Sequence, residues 1–475
     1  MEIINTVNEW LWTYLMVGVL LGGALFFTIF TKGVQFRMIP EMFRILFESS
    51  KNYENPDDPI PQPKTKTISS FQAFAVSLAS RVGTGNIAGV AIAIAMGGPG
   101  AVFWMWVVAF IGSANAFIES TLAQLFKVRG KHAFRGGPAY YIMKGLHQRW
   151  WAITFSVLIT LTFGLAFNTV QANTIVVSFQ DTFGFSPLWV GIITTVITLV
   201  VICGGIQRIS KVSEIVVPIM AGCYILMAFY IIITNITEFP AVMSMIVKNA
   251  FGVEQAVGGG MGMALILGVK RGLFSNEAGE GSTPNAAATA DVTHPVKQGL
   301  IQTLGVYTDT MLVCTATAFI ILCSGVFKSD QTGVELTQLA LSTELGSFAA
   351  IFLSIAIYLF AFTSVIANYY YGETNLSFIT PDRKVIYAFR LLVGATIMIG
   401  SLSTLEFVWA ISDITMGLMT LCNMSAIILL GKYAVRCLRD YRRQRREGRD
   451  PQFTWRAMPD LKDEIKDSWP DAGYE

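Results

Sequence analysis

Long apolar runs separated by short polar segments form the main pattern of the chain. A helix needs about 20 apolar residues to cross a bilayer, and the runs are close to that length. The pattern therefore predicts an all-α polytopic membrane protein with eleven transmembrane helices. The predicted spans lie at about 10–30, 71–96, 99–126, 152–178, 187–207, 214–234, 258–285, 298–326, 346–372, 385–403 and 408–430.

Two of these spans carry polar or unwinding residues in their interior. Span 2 contains Gly-Thr-Gly-Asn at 83–86, and span 7 contains a polar run from Lys270 to Glu280. In lipid, irregular backbone persists only where protein buries it or where it lines a wet cavity. Both spans are therefore predicted to be broken helices that hold a polar ligand. The alternative for span 2 is close helix packing at the G-x-x-x-G pair of Gly85 and Gly89.

The two anomalous spans are evenly placed along the chain. Each is followed by four plainer spans, which divides the chain into two five-helix units, 71–234 and 258–430, with span 1 outside the pattern. A five-helix unit that repeats in sequence must be inverted in the membrane. Paired broken helices in inverted halves are typical of a transporter site near the bilayer midplane. The two halves share little residue identity, so this prediction depends on spacing.

Composition agrees with a membrane protein, since 53% of residues are hydrophobic and only 14% are charged, against about 25% charged in average chains. The net charge of +2 carries no information about partners, and no nucleic-acid partner is predicted. The six cysteines lack zinc-ligand spacing and are interpreted as small apolar residues. The N-terminus lacks the basic region of a signal peptide, so span 1 is expected to be retained.

The distribution of basic residues predicts the orientation. If the N-terminus is outside, the inside segments hold 28 of the 34 Lys and Arg residues, and the outside segments hold two. The N-terminus is therefore predicted outside and the C-terminus in the cytoplasm. Residues 31–70 are predicted to form a cytoplasmic linker with an interfacial helix and a Pro-rich part at 56–66. Residues 431–475 are predicted to form a basic cytoplasmic tail.

The chemistry of broken helices suits a small zwitterion bound with sodium. Free backbone N–H groups at a half-helix end attract a carboxylate, and loose carbonyls suit the hard sodium ion. A sugar or a nucleobase remains open on this argument. Enzyme activity is not predicted, because the chain lacks G-x-S-x-G, a phosphate-binding G-x-x-x-x-G-K-[ST] loop and paired metal-spaced histidines.

Two long motifs identify a family. RVGTGNIAGVAIAIAMGGPGAVFWMW at 81–106 and RGLFSNEAGEGSTPNAAATA at 271–290 closely resemble the sodium:alanine (amino acid) symporter family. The resemblance implies a LeuT-like fold with a 5+5 inverted repeat, spans 2–6 and 7–11, in a single transporter domain over 1–475. It also implies the plasma membrane of a prokaryote, an amino-acid substrate and sodium as the coupling ion.

The resemblance also implies site residues. The substrate carboxylate would meet Thr84, Gly85 and Asn86. The rest of the substrate would be reached by Gln171, Phe274 and Ser275, with Gly279 in the facing set. The sodium ion would be held by the carbonyls of Ala79 and Val82 and the hydroxyls of Thr363 and Ser364. Asn86 is also a candidate for a second cation site.

Asn368 departs from the family pattern. Family members often carry tryptophan before the tyrosines of W-Y-Y-Y-G-E, whereas this chain reads Ala367-Asn368-Tyr369-Tyr370-Tyr371-Gly372-Glu373. If Asn368 faces the pocket, it adds room and an amide, which favours glutamine or asparagine over alanine. The alternative is that Asn368 only faces a neighbouring helix.

The sequence thus predicts a sodium-coupled symporter for a small neutral amino acid, alanine or, favoured by Asn368, glutamine. A proton-coupled transporter and, less favoured, a passive channel are the alternatives. Glu119 and Asp309 are candidates for a cation or proton role or for pairing with Arg81. Glu277 and Glu280 are expected to order the inner end of span 7. Membrane lipid is the other expected partner, and no obligate protein partner is predicted.

Overall fold

The computed structural model describes residues 2–46, 48, 68–130, 133–253 and 260–471. The predicted Pro-rich part at 56–66 lies outside the described residues, as does the start of predicted span 7. Within the described residues the fold is helical apart from one short antiparallel pair, β1 (Val128–Arg129) and β2 (Phe134–Arg135).

The first half of the chain forms helices that begin near the N-terminus and end before the second broken span. They are α1 (Glu2–Phe30), α2 (Val34–Arg37), α3 (Ile39–Leu46), α4 (Ser70–Arg81), α5 (Gly85–Gly97), α6 (Gly100–Leu125), α7 (Pro138–Leu146), α8 (Arg149–Phe183), α9 (Pro187–Ile202), α10 (Gly205–Thr234) and α11 (Phe239–Ala250).

The second half of the described chain also forms long and short helices. They are α12 (Met261–Asn276), α13 (Pro284–Ala287), α14 (Pro295–Cys323), α15 (Gly333–Leu345), α16 (Ser347–Ile379), α17 (Arg383–Leu402), α18 (Leu405–Arg446) and α19 (Lys462–Ile465). Short 3₁₀ turns occupy Val326–Lys328, Trp455–Ala457 and Pro459–Leu461.

Eight helices of the described chain are long and apolar enough to cross a membrane, and the bent pair α4 and α5 makes a ninth span. Helix α9 is apolar but shorter, and α12 has 16 residues. The chain is thus an all-α multi-pass membrane protein, as predicted. The number of eleven spans and the exact 5+5 repeat stay predictions.

The first break separates α4 from α5. Helix α4 begins with a capping box, in which Ser69 and Gln72 each accept the other's backbone N–H. It ends where Val82 leaves the helical region at φ −81° and ψ 83°, and the two helices diverge by 47°. The turn requires glycine at 83, because a Cβ there would lie 2.3 Å from the Ser364 hydroxyl.

The second break follows α12. Glu277 terminates the helix in the left-handed region at φ 55°, and Gly279 and Gly281 follow at φ 97° and 84°. Such φ values favour glycine, which lacks the Cβ that would collide with the backbone. A segment of turns and bends then leads into the short helix α13. Both predicted breaks are therefore present, although the second begins at Glu277 and the predicted polar run is helical from Lys270 to Asn276.

Helix α6 organises the packing around the breaks. It packs against α12, α14 and α1, while α8 packs against α16 and α17 on the other side. Wider π-type turns, which often mark functional sites, lie in helices that surround the breaks. They occur at Gly85–Gly89, Thr162–Ala166 and Tyr307–Cys314, and another lies in α1 at Leu11–Met16.

The C-terminal residues return to the predicted cytoplasmic face. Helix α18 extends past the predicted end of span 11 to Arg446, and the following segment packs against the α6–α14 region. The Phe453 N–H donates to the Thr293 carbonyl at 2.8 Å, and Trp469 Nε1 donates to the Gln124 carbonyl at 3.1 Å. Trp469 is buried, so this part of the tail is a packed element.

Candidate functional site

One buried carboxylate joins the two breaks. Asn86 Nδ2 donates to Asp309 Oδ1 at 2.6 Å, and Ser275 Oγ donates to Asp309 Oδ2 at 2.8 Å. Thr310 Oγ1 donates to the same Oδ2 at 3.0 Å. Asp309 thus connects the start of α5 with the end of α12, as a carboxylate surrounded by donors can. Sequence analysis named this residue as a candidate without identifying these partners.

Side chains satisfy the free N–H groups at the first break. The Gly83 N–H donates to Asn86 Oδ1 at 2.9 Å, and the Thr84 N–H donates to Gln171 Oε1 at 3.2 Å. The Thr84 hydroxyl is buried and finds no hydrogen-bond partner in the described part of the chain. A buried hydroxyl without a partner is unusual and is expected where a ligand supplies the bond.

An aromatic stack lies against the first break. A Cβ on Gly85 would lie 2.9 Å from the Phe274 ring and 3.3 Å from Ser275 Cα, so the two breaks touch here. The Phe274 ring contacts both Phe167 and Trp409 in tilted pairs, with centroid distances of 4.4 and 4.5 Å. These two contacts restrict the movement of Phe274. The structure thus brings together the predicted residues Gly85, Phe274 and Ser275.

The predicted sodium ligands lie next to the first break on α4 and α16. Ser364 Oγ donates to the Ala79 carbonyl at 2.8 Å and is also within 3.0 Å of the Phe360 carbonyl. Val82 follows at the bend. The hydroxyl of Thr363 donates to carbonyls of its own helix, at 2.9 and 3.0 Å. Ala79 and Ser364 are therefore in direct contact, while Thr363 is bonded back to α16.

Asn368 belongs to a polar chain that crosses from α4 to α8. Ser80 Oγ donates toward Asn368 Oδ1 at 2.9 Å and toward Glu277 Oε1 at 2.5 Å. Asn368 Nδ2 donates to Asn168 Oδ1 at 3.3 Å. Asn168 lies one turn before Gln171 on α8. Asn368 is thus connected to the residues of both breaks through Ser80. Its amide oxygen and nitrogen bond the neighbouring helices α4 and α8.

Gly279 is held by a carboxylate rather than left free. The N–H groups of Gly279 and Gly281 each donate to Glu119 of α6 at 3.1 Å, one to each oxygen. Asn423 Nδ2 donates to Glu119 at 2.9 Å and to the Gly279 carbonyl at 2.9 Å. Glu119 therefore fixes the backbone of the second break.

The suggested pairing of Arg81 with Glu119 or Asp309 takes a different form. Arg81 Nη1 donates to the carbonyl and the side chain of Gln302 at 3.1 and 3.3 Å. Arg81 is 1% exposed. Among the described residues, no carboxylate oxygen lies within 4.0 Å of its guanidinium nitrogens. Arg81 attracts both carboxylates through space instead.

An ion-pair cluster one turn before Phe274 escaped the sequence analysis. Arg271 donates to both oxygens of Asp413 at 2.9 and 2.8 Å, and Lys270 Nζ lies 2.7 Å from the same carboxylate. The Arg271 guanidinium stacks on Trp409 at 4.2 Å. The sequence signal for this cluster is that Asp413 is the one acidic residue of the last predicted span, while span 7 contains the two basic residues Lys270 and Arg271.

A buried histidine fastens the tail outside the membrane-spanning segments. His294 Nδ1 accepts the Val296 N–H at 3.2 Å and so caps α14, and Nε2 lies 3.3 Å from Asp440. Because Nδ1 accepts, the proton of the neutral ring is on Nε2. Burial lowers the pKa of His294 below its ordinary value, although Asp440 opposes the shift.

The predicted substrate residues are closed off from solvent together. Thr84, Asn86, Gln171, Ser275 and Asn368 are each 2% exposed or less. The structure is therefore an occluded conformation. The buried amides and hydroxyls of this set lie on or beside α5, α8, α12 and α16.

Sequence comparison agrees with this geometry. The profile of the sodium:alanine symporter family matches residues 1–455. The amino-acid carrier protein AlsT of Bacillus subtilis is 50% identical over 474 residues, covering 100% of this chain and 98% of AlsT. GlnT of the same organism, named a probable sodium/glutamine symporter, is 50% identical over 453 residues, covering 95% and 93%. A sodium/proton-dependent alanine carrier protein of Bacillus sp. PS3 is 41% identical over 408 residues, covering 81% and 91%.

Structural comparison concerns the fold alone. The crystal structure of MhsT in complex with L-phenylalanine superposes with a TM-score of 0.60 at 15% identity, covering 79% of this chain and 97% of MhsT. The arrangement of helices is therefore that of LeuT-type transporters.

Proposed function

We propose, from the premise that the chain belongs to the sodium:alanine symporter family, that it imports a small neutral amino acid together with sodium. The family and the relatives are transporters, so the chain is a transporter and not an enzyme. The observation that carries the proposal is the occluded contact of two broken helices, in which Thr84 offers a backbone N–H and a hydroxyl that has no partner among the described residues.

The substrate carboxylate would bind at the first break. Gln171 Oε1 accepts the Thr84 N–H in this conformation, and a carboxylate would accept the same N–H at the start of α5. The helix dipole favours negative charge at that end. The substrate amino group would lie toward Asp309 and Ser275 at the second break.

Sodium would bind beside the carboxylate. The Ser364 hydroxyl already donates to the Ala79 carbonyl, and it lies beside Gly83. A sodium ion there would take these oxygens, with the Val82 carbonyl at the bend, and Thr363 would join after rotating its hydroxyl. Asn86 remains the candidate for a second cation, next to Asp309.

Glutamine is proposed over alanine as the substrate. The amide of Asn368 lies one hydrogen bond from Ser80, beside the first break, where a longer polar side chain would extend. The relative GlnT, named for sodium and glutamine, is as similar to this chain as AlsT is. A site built to bond an amide would reject substrates that lack one, because its buried polar groups would lose their partners.

Transport would follow alternating access in a bacterial plasma membrane, with eleven spans in two inverted five-helix units, the N-terminus outside and the C-terminus inside. Sodium and substrate bind, the outer side closes, and the inner side opens. One sodium ion is sufficient, since 100 mV supplies about 2.3 kcal/mol and a tenfold gradient about 1.4 kcal/mol. Together these support roughly 500-fold accumulation.

The test is uptake of labelled glutamine and labelled alanine into proteoliposomes, with and without an inward sodium gradient. We expect glutamine to accumulate only with sodium and alanine to accumulate poorly. Accumulation of alanine alone would keep the symporter and reject the role of Asn368. Uptake that ignores sodium would reject sodium coupling in favour of the proton-coupled alternative, and equilibration without accumulation would indicate a passive channel.

A further inference from the structure

A cluster of three carboxyl groups lies beyond the second break, on the side that leads to α13 and the predicted cytoplasm. Its members are Glu119, Glu277 and Glu280, which we call the carboxyl cluster. All three are fully buried, and Arg81 is the cation that attracts each of them. The substrate site described above uses Glu119 only to hold backbone and assigns no role to Glu280.

Two members of the carboxyl cluster are solvated by donors. Glu119 accepts two backbone N–H groups and the amide of Asn423. Glu277 is within hydrogen-bond distance of three hydroxyls, those of Ser80, Ser282 and Thr283. Such donor sets replace part of the hydration that burial removes from a carboxylate and favour its charged form.

Glu280 lacks any such set. Neither of its carboxyl oxygens has a hydrogen-bond partner among the described residues, although the side chain is fully buried. Among the described residues, Glu277 and Glu119 both repel a negative charge on Glu280, and Arg81 attracts it. An ionised carboxylate without donors, beside two others, is the least favourable arrangement of charge in the cluster.

Arg81 supplies the second observation. Its Nη1 bonds Gln302, but its Nε and Nη2 are buried and have no partner in the described chain. The same cluster therefore contains an unpartnered acid and unpartnered donors that do not form an ion pair. A metal cation at Glu280 would be repelled by the guanidinium, and the described residues contain no group of three His, Cys, Asp or Glu side chains that could hold a metal ion. A proton neutralises Glu280 without further ligands.

We propose that Glu280 is a proton-binding site that takes up a proton from the outer solution, holds it in this occluded conformation and releases it to the inner solution during each transport cycle. The inference rests on the proposed function, because it presupposes a cycle that opens to the cytoplasm. The charged groups that face Glu280 are Glu277 from its own segment, Glu119 from α6 and Arg81 from α4.

The backbone around Glu280 can open to release the proton. Glu280 lies between Gly279 and Gly281, both at positive φ, and follows Glu277, also at positive φ. Among the described residues, the side chain that accepts the N–H groups of Gly279 and Gly281 is that of Glu119. If the segment moves when the inner side opens, Glu280 meets water and loses its proton, and ionised Glu280 then comes within reach of Arg81.

The experiment measures protons and substrate together. Purified protein is placed in proteoliposomes with a trapped pH-sensitive dye, and labelled glutamine and alanine are each supplied with an inward sodium gradient. We expect wild type to change the internal pH when a transported substrate is added. We expect the Glu280→Gln variant to keep sodium-driven uptake at about pH 5.5, because the side chain at position 280 then resembles a protonated glutamate. Its proton movement per transported substrate should be at least tenfold smaller than that of wild type.

Two further variants control the result. Glu280→Asp keeps a titratable group and is expected to keep proton movement. Glu238→Gln, at an exposed glutamate before α11, is expected to match wild type in every measurement. Size-exclusion profiles and thermal unfolding establish that each variant is folded.

Wild type that shows sodium-driven uptake without a change of internal pH would overturn the inference while leaving the proposed function intact. So would Glu280→Gln that moves as many protons per substrate as wild type, or a shift in sodium affinity with unchanged proton movement. If wild type shows no sodium-driven uptake, the proposed function fails. Proton movement that depends on substrate and on Glu280 would then still support the proton site.

Discussion

Replacing Gly85 with alanine tests whether contact between the two breaks is essential for transport. A Cβ at this position would lie 2.9 Å from the Phe274 ring and 3.3 Å from Ser275 Cα. Neither neighbour can retreat easily, because the Phe274 ring packs against both Phe167 and Trp409 and Ser275 Cα is backbone. The substitution therefore forces the two broken helices apart in the occluded conformation.

The magnitude follows from overpacking. Inserting a methyl group into a well-packed interior typically costs about 1–3 kcal/mol. At about 1.4 kcal/mol per factor of ten, the population of the occluded conformation falls by about 5-fold to 150-fold relative to open conformations. If each cycle passes through this conformation, the rate of sodium-driven uptake should fall at least about fivefold.

Gly262→Ala is the matched control for this experiment. Gly262 lies on α12, the other broken span, and a Cβ there would meet nothing within 4 Å. Both variants are assayed in proteoliposomes at equal protein content, with labelled glutamine and labelled alanine. We expect Gly262→Ala to retain the wild-type rate. A Gly85→Ala protein that transports within twofold of this control would refute the reasoning about the contact.

Three other predictions concern separate parts of the molecule. Ser364→Ala should raise the half-saturating sodium concentration about 10-fold or more, since bonds to charged groups contribute about 1.5–3 kcal/mol; an unchanged sodium titration of uptake would contradict this. Asn368→Ala should lower the ratio of glutamine to alanine uptake, and a constant ratio in paired assays would reject its role in selectivity. Because burial lowers the pKa of His294, tail docking should be fully stable above about pH 6.5 and weaken as pH falls below it, by up to about 1.4 kcal/mol per unit. Protease cleavage of the tail should then accelerate at pH 5.5 in wild type but less in His294→Asn, and equal acceleration in both would contradict the linkage.

The sequence predicted those parts of the site that depend on backbone chemistry. Gly-Thr-Gly-Asn at 83–86 and the polar run after Val269 identified both breaks, because unwound backbone at bilayer depth leaves a composition that no lipid-facing helix has. The positions of Gly85, Phe274 and Ser275 beside one another followed from the resemblance. Side-chain orientation did not, since Thr363 and Ser364 are neighbours in sequence but only Ser364 contacts Ala79.

Long-range partners were the part that could not be predicted. Asp309 was recognised as a buried acid, but its bonds to Asn86 and Ser275 join residues more than 30 positions apart on separate helices. The pairing of Arg271 with Asp413 spans 142 positions. Such contacts depend on how helices are rotated against one another, and the apolar pattern of a fully buried helix carries little information about its rotation.

The hydroxyl of Ser80 suggests how the substrate side chain and the carboxyl cluster communicate. Ser80 is within hydrogen-bond distance of two acceptors, Asn368 Oδ1 and Glu277 Oε1, yet a hydroxyl carries one proton. A substrate amide that donates to Asn368 would satisfy that oxygen and leave the Ser80 proton to Glu277. Glu277 would then hold its charge more firmly and repel charge on Glu280 more strongly. On this argument, binding of an amide substrate favours protonation of Glu280, so the proton movement per substrate should be larger with glutamine than with alanine.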